Sequence, residues 1–175
     1  MALYLLAFCR VVIGLVFIVS SISKALNISK FRQTIISFGL LPRSLTGIAA
    51  ILFLCCEFAV AGLAAIGGEF LLPSFLLAII LLLIFCGALA SVLVRRLRTP
   101  CNCFGSSEKP ISIGDVWRNV GFILCALGGC VALTWTQRTS ERLGVVEWLL
   151  TALGAGVSVA IWIQLREIAQ LFCSD

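Results

Sequence analysis

Cys101 and Cys103 stand one residue apart in the stretch TPCNCFGSS, residues 99–107. Such a pair closes a disulfide only through a small, strained ring, and strain raises the reduction potential. A bond of that kind is labile and suited to exchange. Arg95, Arg96, Arg98 and Lys109 nearby favour the thiolate, the form that attacks. Gly105 allows a turn, and Pro100 biases Thr99 toward extended backbone. Two unconnected loop thiols are the plainer alternative. Thiolates also suit soft metal ions, although no His and no second compact Cys pair accompanies them in this loop.

Sulfur is the distinctive element of the whole chain, which has nine Cys and no His among 175 residues. The missing imidazole excludes His-ligated haem, Ser-His and Cys-His dyads and most zinc catalysis. No metal site is assigned. With 61% apolar and 12% charged residues, against about a quarter charged in soluble domains, the composition is that of an integral membrane protein. The net charge of +5 is modest and gives no nucleic-acid footprint.

Stepping outward to the elements that would carry these thiols, apolar stretches of roughly 19–23 residues, enough to cross the hydrocarbon, recur five times. They run at about 3–22, 45–66, 71–94, 118–136 and 145–165. The expected fold class is all-α: a polytopic transmembrane helical bundle of about five spans, a four-helix core plus one. Residues 1–175 form a single domain with no internal repeat. The first run lacks a basic leader segment and reads as a retained helix. Between the first two spans, Ile28, Phe31, Ile35 and Phe38 recur at helical spacing, with Lys30, Arg32, Gln33 and Ser37 largely elsewhere. This predicts a short interfacial helix over about 28–39, with Asn27 as N-cap and Gly39 and Pro42 as its stop. The Cys pair falls in a loop over 95–115, which ends in an S-x-x-D cap, Ser112 and Asp115. Trp117, Trp148 and Trp162 lie near span ends and read as interfacial anchors. Lys and Arg crowd the side holding that loop, with only Arg138 and Arg142 opposite. The chain is therefore expected as a multi-pass protein of a bacterial-type inner (plasma) membrane, N-terminus outside and Cys loop cytoplasmic.

Glu57 is the charged residue that most needs explaining, because an ionisable group inside lipid is costly and faces a partner. Counting about 1.5 Å per residue places Arg10 at its depth, predicting a structural Glu57–Arg10 ion pair. Lys24 closes the first span and has a stem long enough to snorkel to the interface. The same count sorts the intramembrane thiols into two tiers, Cys9, Cys55, Cys56 and Cys130 toward one face, and Cys86 and Cys125 toward the other. These six are candidates for a thiol relay, against the plain role of small hydrophobic residues.

The order of features resembles the MauE group of methylamine-utilisation membrane proteins, within the DoxX-like set. It rests on GLVFIVSSISKAL at 14–26, FGLLP at 38–42, EFAVAGL at 57–63, CNCFG at 101–105, and Arg118–Asn119. The C-x-C-F-G element is the most specific; Asn102 stands where Gly is more usual. The resemblance implies a redox-associated bundle working with a thioredoxin-like periplasmic protein during maturation of a disulfide-rich dehydrogenase. It marks Lys24, Glu57, Cys101 and Cys103 as the catalytic candidates. A partner outside and a Cys loop inside agree only if the orientation is reversed or the protein carries reducing equivalents across the bilayer.

The function expected is thiol–disulfide exchange with a thioredoxin-like partner, one Cys attacking and the other resolving the mixed disulfide. No cofactor is required by any motif, although a membrane quinone is a candidate reoxidant. Two alternatives stand beside it. Cys55–Cys56 within a span and Cys101/Cys103 at its mouth would suit a mercuric-type soft-metal transporter. A purely structural assembly subunit would tolerate loss of every thiol.

Overall fold

A computed structural model describes residues 1–39, 42, 44–95, 113–136 and 144–172, with the side chains of the last helix described as far as Trp162. Six α-helices account for nearly all of this: α1 (Ala2–Leu26), α2 (Ile28–Phe38), α3 (Thr46–Ile66), α4 (Leu71–Val94), α5 (Ile113–Thr136) and α6 (Val145–Phe172). Every one except α2 is long and apolar enough to cross a membrane. The chain is thus an all-helical, multi-pass membrane protein.

Helix ends follow local chemistry. Pro73 sits in the first turn of α4, where the backbone N–H groups have no partner within the helix, so its missing donor costs nothing. Gly39 closes α2 at φ 63°, the left-handed cap that the FGLLP segment predicts. Asn27 opens α2 through its carbonyl, which accepts the Phe31 N–H at 3.0 Å, but its side chain makes no capping bond. A single 3-10 turn, Gly68–Phe70, joins α3 to α4. Two boundaries differ from the hydropathy reading. α1 runs on past residue 22, carrying Lys24 within the helix, and α5 begins at Ile113 instead of 118. Each extension contains a polar residue that a hydropathy window discards but that is buried against other helices, Lys24 in one and Asp115 in the other.

Helices α1, α3, α4 and α5 form a ring in which each packs on its two neighbours. α6 lies outside the ring, chiefly along α1, and α2 lies across one end of it, against α3. This is the expected four-helix core plus one. Neighbours around the ring are antiparallel: Arg10 near the start of α1 bonds the end of α3, and Phe75 near the start of α4 meets Gly129 late in α5. The centre is filled by Ile13, Val60, Phe75, Ala78 and Ala126, all fully buried. Lipid removes the hydrophobic drive between helices, so close approach and polar contacts hold them. Ser74 Oγ donates to the Val60 carbonyl at 3.0 Å, tying α4 to α3. Gly129 lets the Phe75 ring lie where its own side chain would be; a Cβ there would stand 2.6 Å from the ring.

Gly129→Leu should therefore displace Phe75 and cost about 1–3 kcal/mol of stability, the usual penalty of overpacking. Thermal melting in detergent measures it. Gly87→Ala, where a Cβ meets nothing within 4 Å, should leave the midpoint unchanged or raise it.

Candidate functional site

A buried polar cluster joins α1 to α3 toward the end of the ring where α1 stops and α5 starts. Lys24 and Glu57, each 3% exposed, form an ion pair between Nζ and Oε1. Ser20 completes a triangle: its hydroxyl donates to Glu57 Oε1 at 3.1 Å and accepts from Lys24 Nζ at 3.0 Å. The rest of the ammonium is enclosed by aromatic faces, with the centroids of Phe31, Phe53 and Phe85 at 5.1, 4.8 and 5.6 Å. Those rings come from α2, α3 and α4, and their negative faces stabilise a cation held away from bulk water. Four helices thus converge on one charge.

Glu57 Oε2 is buried and has no hydrogen-bond partner. It belongs to a cavity of about 20 Å³ lined also by Ser20, Lys24 and Asn119, room for a single water. Asn119 is held in place by its amide, which donates to the Asp115 carbonyl at 2.8 Å. Phe53 and Phe85 wall this cavity and, on their other side, an apolar groove of about 420 Å³ that includes Ile35, Leu52 and Cys56. Chemically, the cluster offers a fixed cation and a carboxylate oxygen open to one proton donor.

The expected Glu57–Arg10 pair does not form. Arg10 instead donates from Nε to the Ala64 carbonyl at 2.7 Å and from a terminal nitrogen to Ala65 at 2.8 Å, capping the last turn of α3. Gly67 makes room for it; a Cβ there, at φ 77°, would lie 2.7 Å from the guanidinium. The reason for the exchange of partners is directional. Side chains on a helix lean toward its N-terminus. Arg10 therefore leans out toward the end of α3, and Lys24 leans inward, toward Glu57, instead of snorkelling to the interface. Counting depth by Cα alone misses this.

The two-tier arrangement of thiols is also corrected. Cys9 and Cys125, assigned to opposite tiers, lie within about a turn of each other, for the Cys9 sulfur is 3.9 Å from where a Cβ on Gly128 would sit. Starting α5 at Ile113 sinks Cys125 more than a turn deeper than a start at 118 would. Cys55 is exposed on the outside of the bundle, whereas Cys56 lines the apolar groove, because consecutive helical residues point about 100° apart. Cys86 and Cys130 are half-buried. Among the described residues, no cluster of three His, Cys, Asp or Glu could hold a metal ion. Cys101, Cys103 and the Ser112 cap lie outside the described residues.

A family profile described as methylamine utilisation protein MauE matches residues 2–136. The chain belongs to the MauE family. A protein from Paracoccus denitrificans named methylamine utilization protein MauE is 31% identical over 125 residues, which are 70% of this chain and 66% of that relative. The aligned part is thus just under two thirds of the relative's length. No solved structure matches the chain. The MauE match takes in Lys24, Glu57 and the Cys-x-Cys segment, and excludes α6, the helix outside the ring.

Ser20 and the aromatic cage were missed by the sequence reading, yet they carry a signal. Ser20 is four residues before Lys24, on the same face of α1, and Phe53 is four before Glu57, on the face of α3 that meets Lys24. Glu57→Ala or Lys24→Ala should each cost roughly 3–5 kcal/mol, because either leaves a buried charge alone. Lys24→Met with Glu57→Leu should recover most of that loss. A double-mutant cycle by thermal melting should show strong coupling between residues 24 and 57, and little between 10 and 57.

Proposed function

We propose that this MauE-family protein is a membrane thiol–disulfide redox component of methylamine utilisation, exchanging with a thioredoxin-like partner through Cys101 and Cys103. The supporting observation is where the polar core lies. Lys24, Glu57, Ser20 and Asn119 share one cavity at the end of the bundle where α4 stops, at Val94, and α5 starts, at Ile113. Those two helices carry the Cys-x-Cys segment between them. Phe85 of α4 lies 5.6 Å from the Lys24 ammonium and Asn119 of α5 lines the same cavity, so the ion pair sits beside the two helices between which the Cys-x-Cys segment runs.

In the proposed cycle one loop thiolate attacks the partner's disulfide and forms a mixed disulfide. The other thiolate displaces the partner as a thiolate, leaving a Cys101–Cys103 bond. Basic residues in the segment, Arg98 and Lys109 among them, stabilise the attacking anion. Each full exchange releases or takes up protons, and Glu57, whose Oε2 is buried without a hydrogen-bond partner, is the acceptor assigned to them. By charge placement the protein lies in an inner membrane with the dithiol segment at the cytoplasmic face.

Cys101→Ser and Cys103→Ser should each abolish exchange with a thioredoxin-like partner, and one of them should trap a mixed disulfide visible on a non-reducing gel. Full turnover by either variant would remove the proposal. Labelling with an impermeant maleimide, before and after reduction, should modify the pair only from the cytoplasmic side and only once reduced.

A further inference from the structure

The groove of about 420 Å³ behind the Phe53 and Phe85 rings has no part in the ion pair or in the loop chemistry. Its walls are α3 and α4, and α2 closes one end, laying Phe31, Ile35 and Phe38 on it from a single helical face. Along α4 the groove runs from Leu77 to Ala88, roughly 16 Å at the helical rise per residue. Both wall helices are membrane spans, so this long axis points the way acyl chains point. Leu52, Ile80 and Ile84 on the outer rim are each more than half exposed, so the groove opens sideways into lipid. Among the described lining residues only Cys56 carries a heteroatom in its side chain. A carbonyl or hydroxyl buried there would go unpaired, whereas a hydrocarbon chain loses nothing.

The end closed by α2 is basic. Lys30 and Arg32 stand on either side of Phe31 in the chain, and α2 carries no acidic residue. The Arg32 Nε is 3.8 Å from where a Cβ on Gly47 would sit, at the start of α3. Arg95, just past the end of α4, brings a terminal nitrogen to 3.9 Å from where a Cβ on Gly39 would sit, one residue after Phe38. All three cations are exposed, and among the described residues none of them forms an ion pair. Unneutralised cations at the end of a hydrocarbon slot complement the two ends of one molecule, a charged headgroup and a fatty tail. We propose that the groove seats an acyl chain of an anionic phospholipid, whose headgroup is held by Lys30, Arg32 and Arg95 around α2. The seated chain covers the lipid side of Phe53 and Phe85, the rings that cage the Lys24 ammonium. This site needs neither Cys101 nor Cys103, so it is tested apart from thiol exchange.

The test uses the full chain in phosphatidylcholine nanodiscs holding a trace of a photoreactive lipid. The probe is phosphatidylglycerol with a diazirine near the end of one acyl chain, and the control is phosphatidylcholine carrying the same chain. After irradiation, digestion and mass spectrometry, the phosphatidylglycerol probe should label residues 52–56 and 77–84 several-fold more than the control does. Residues 149–153 of α6, an exposed apolar surface away from the groove, should be labelled equally by both. Lys30→Gln, Arg32→Gln and Arg95→Gln together, all exposed positions, should leave the melting midpoint in place and bring the two lipids to equal labelling in the groove. Ala49→Trp, which fills the groove, should abolish the preferential labelling, and Leu52→Trp on the exposed rim should do the same without disturbing the packing. Equal labelling of the groove in the parent, or the same preference at α6, overturns the anionic lipid. A preference that survives the three Gln substitutions overturns the cation cluster, and one that survives the Trp variants overturns the groove.

Discussion

The contact on which the rest of this bundle depends is the salt bridge between Lys24 and Glu57. Each charge alone would be expensive to hold away from water, and the pair is tolerated only because its remaining valences are met. Ser20 supplies a hydroxyl, and three phenyl faces supply diffuse negative potential around the ammonium. Because those groups come from α1, α2, α3 and α4, one electrostatic requirement fixes the relative rotation of four helices. Aliphatic packing against lipid-like neighbours would not do so, since it lacks direction.

α1 is the hub of the molecule. It touches α3, α5 and α6 along its length and uses a different chemistry for each. Arg10 caps the C-terminal carbonyls of α3 and lies 5.9 Å over the Trp148 ring of α6, Cys9 meets α5, and Lys24 grips α3 a second time. Two polar attachments to α3, near opposite ends of α1, prevent the helices from sliding or rotating past one another. α4 and α5 close the ring against this pair of helices.

The spans were legible because the bilayer imposes a length and a polarity that any sequence must obey, and the four-plus-one arrangement followed. What hydropathy could not show lay at the helix ends. Lys24 and Asp115 are polar, so they mark a boundary on an averaged scale, whereas here they are buried against other helices. Glu57 was legible as a residue in need of a cation, but the choice between Arg10 and Lys24 turned on side-chain tilt, to which a depth count is blind. Cys125 was misplaced for a related reason, the late start assigned to α5. Ser20 and Phe53 were readable in principle, from their four-residue offsets. The approach of Cys9 to Gly128 was not, since it depends on the rotation of two helices far apart in the chain.

The position of the two charges along the chain has a consequence for how the protein is made. Lys24 precedes Glu57 by 33 residues, so α1 reaches the bilayer before α3 and the cation arrives there ahead of its counter-ion. Until then α1 must keep its ammonium at the lipid headgroups, sitting shallow. The arrival of α3 allows it to settle, and the carboxylate is never without a mate. Insertion is thereby ordered, with the early segment waiting in a provisional pose and the later one drawing it to its final depth.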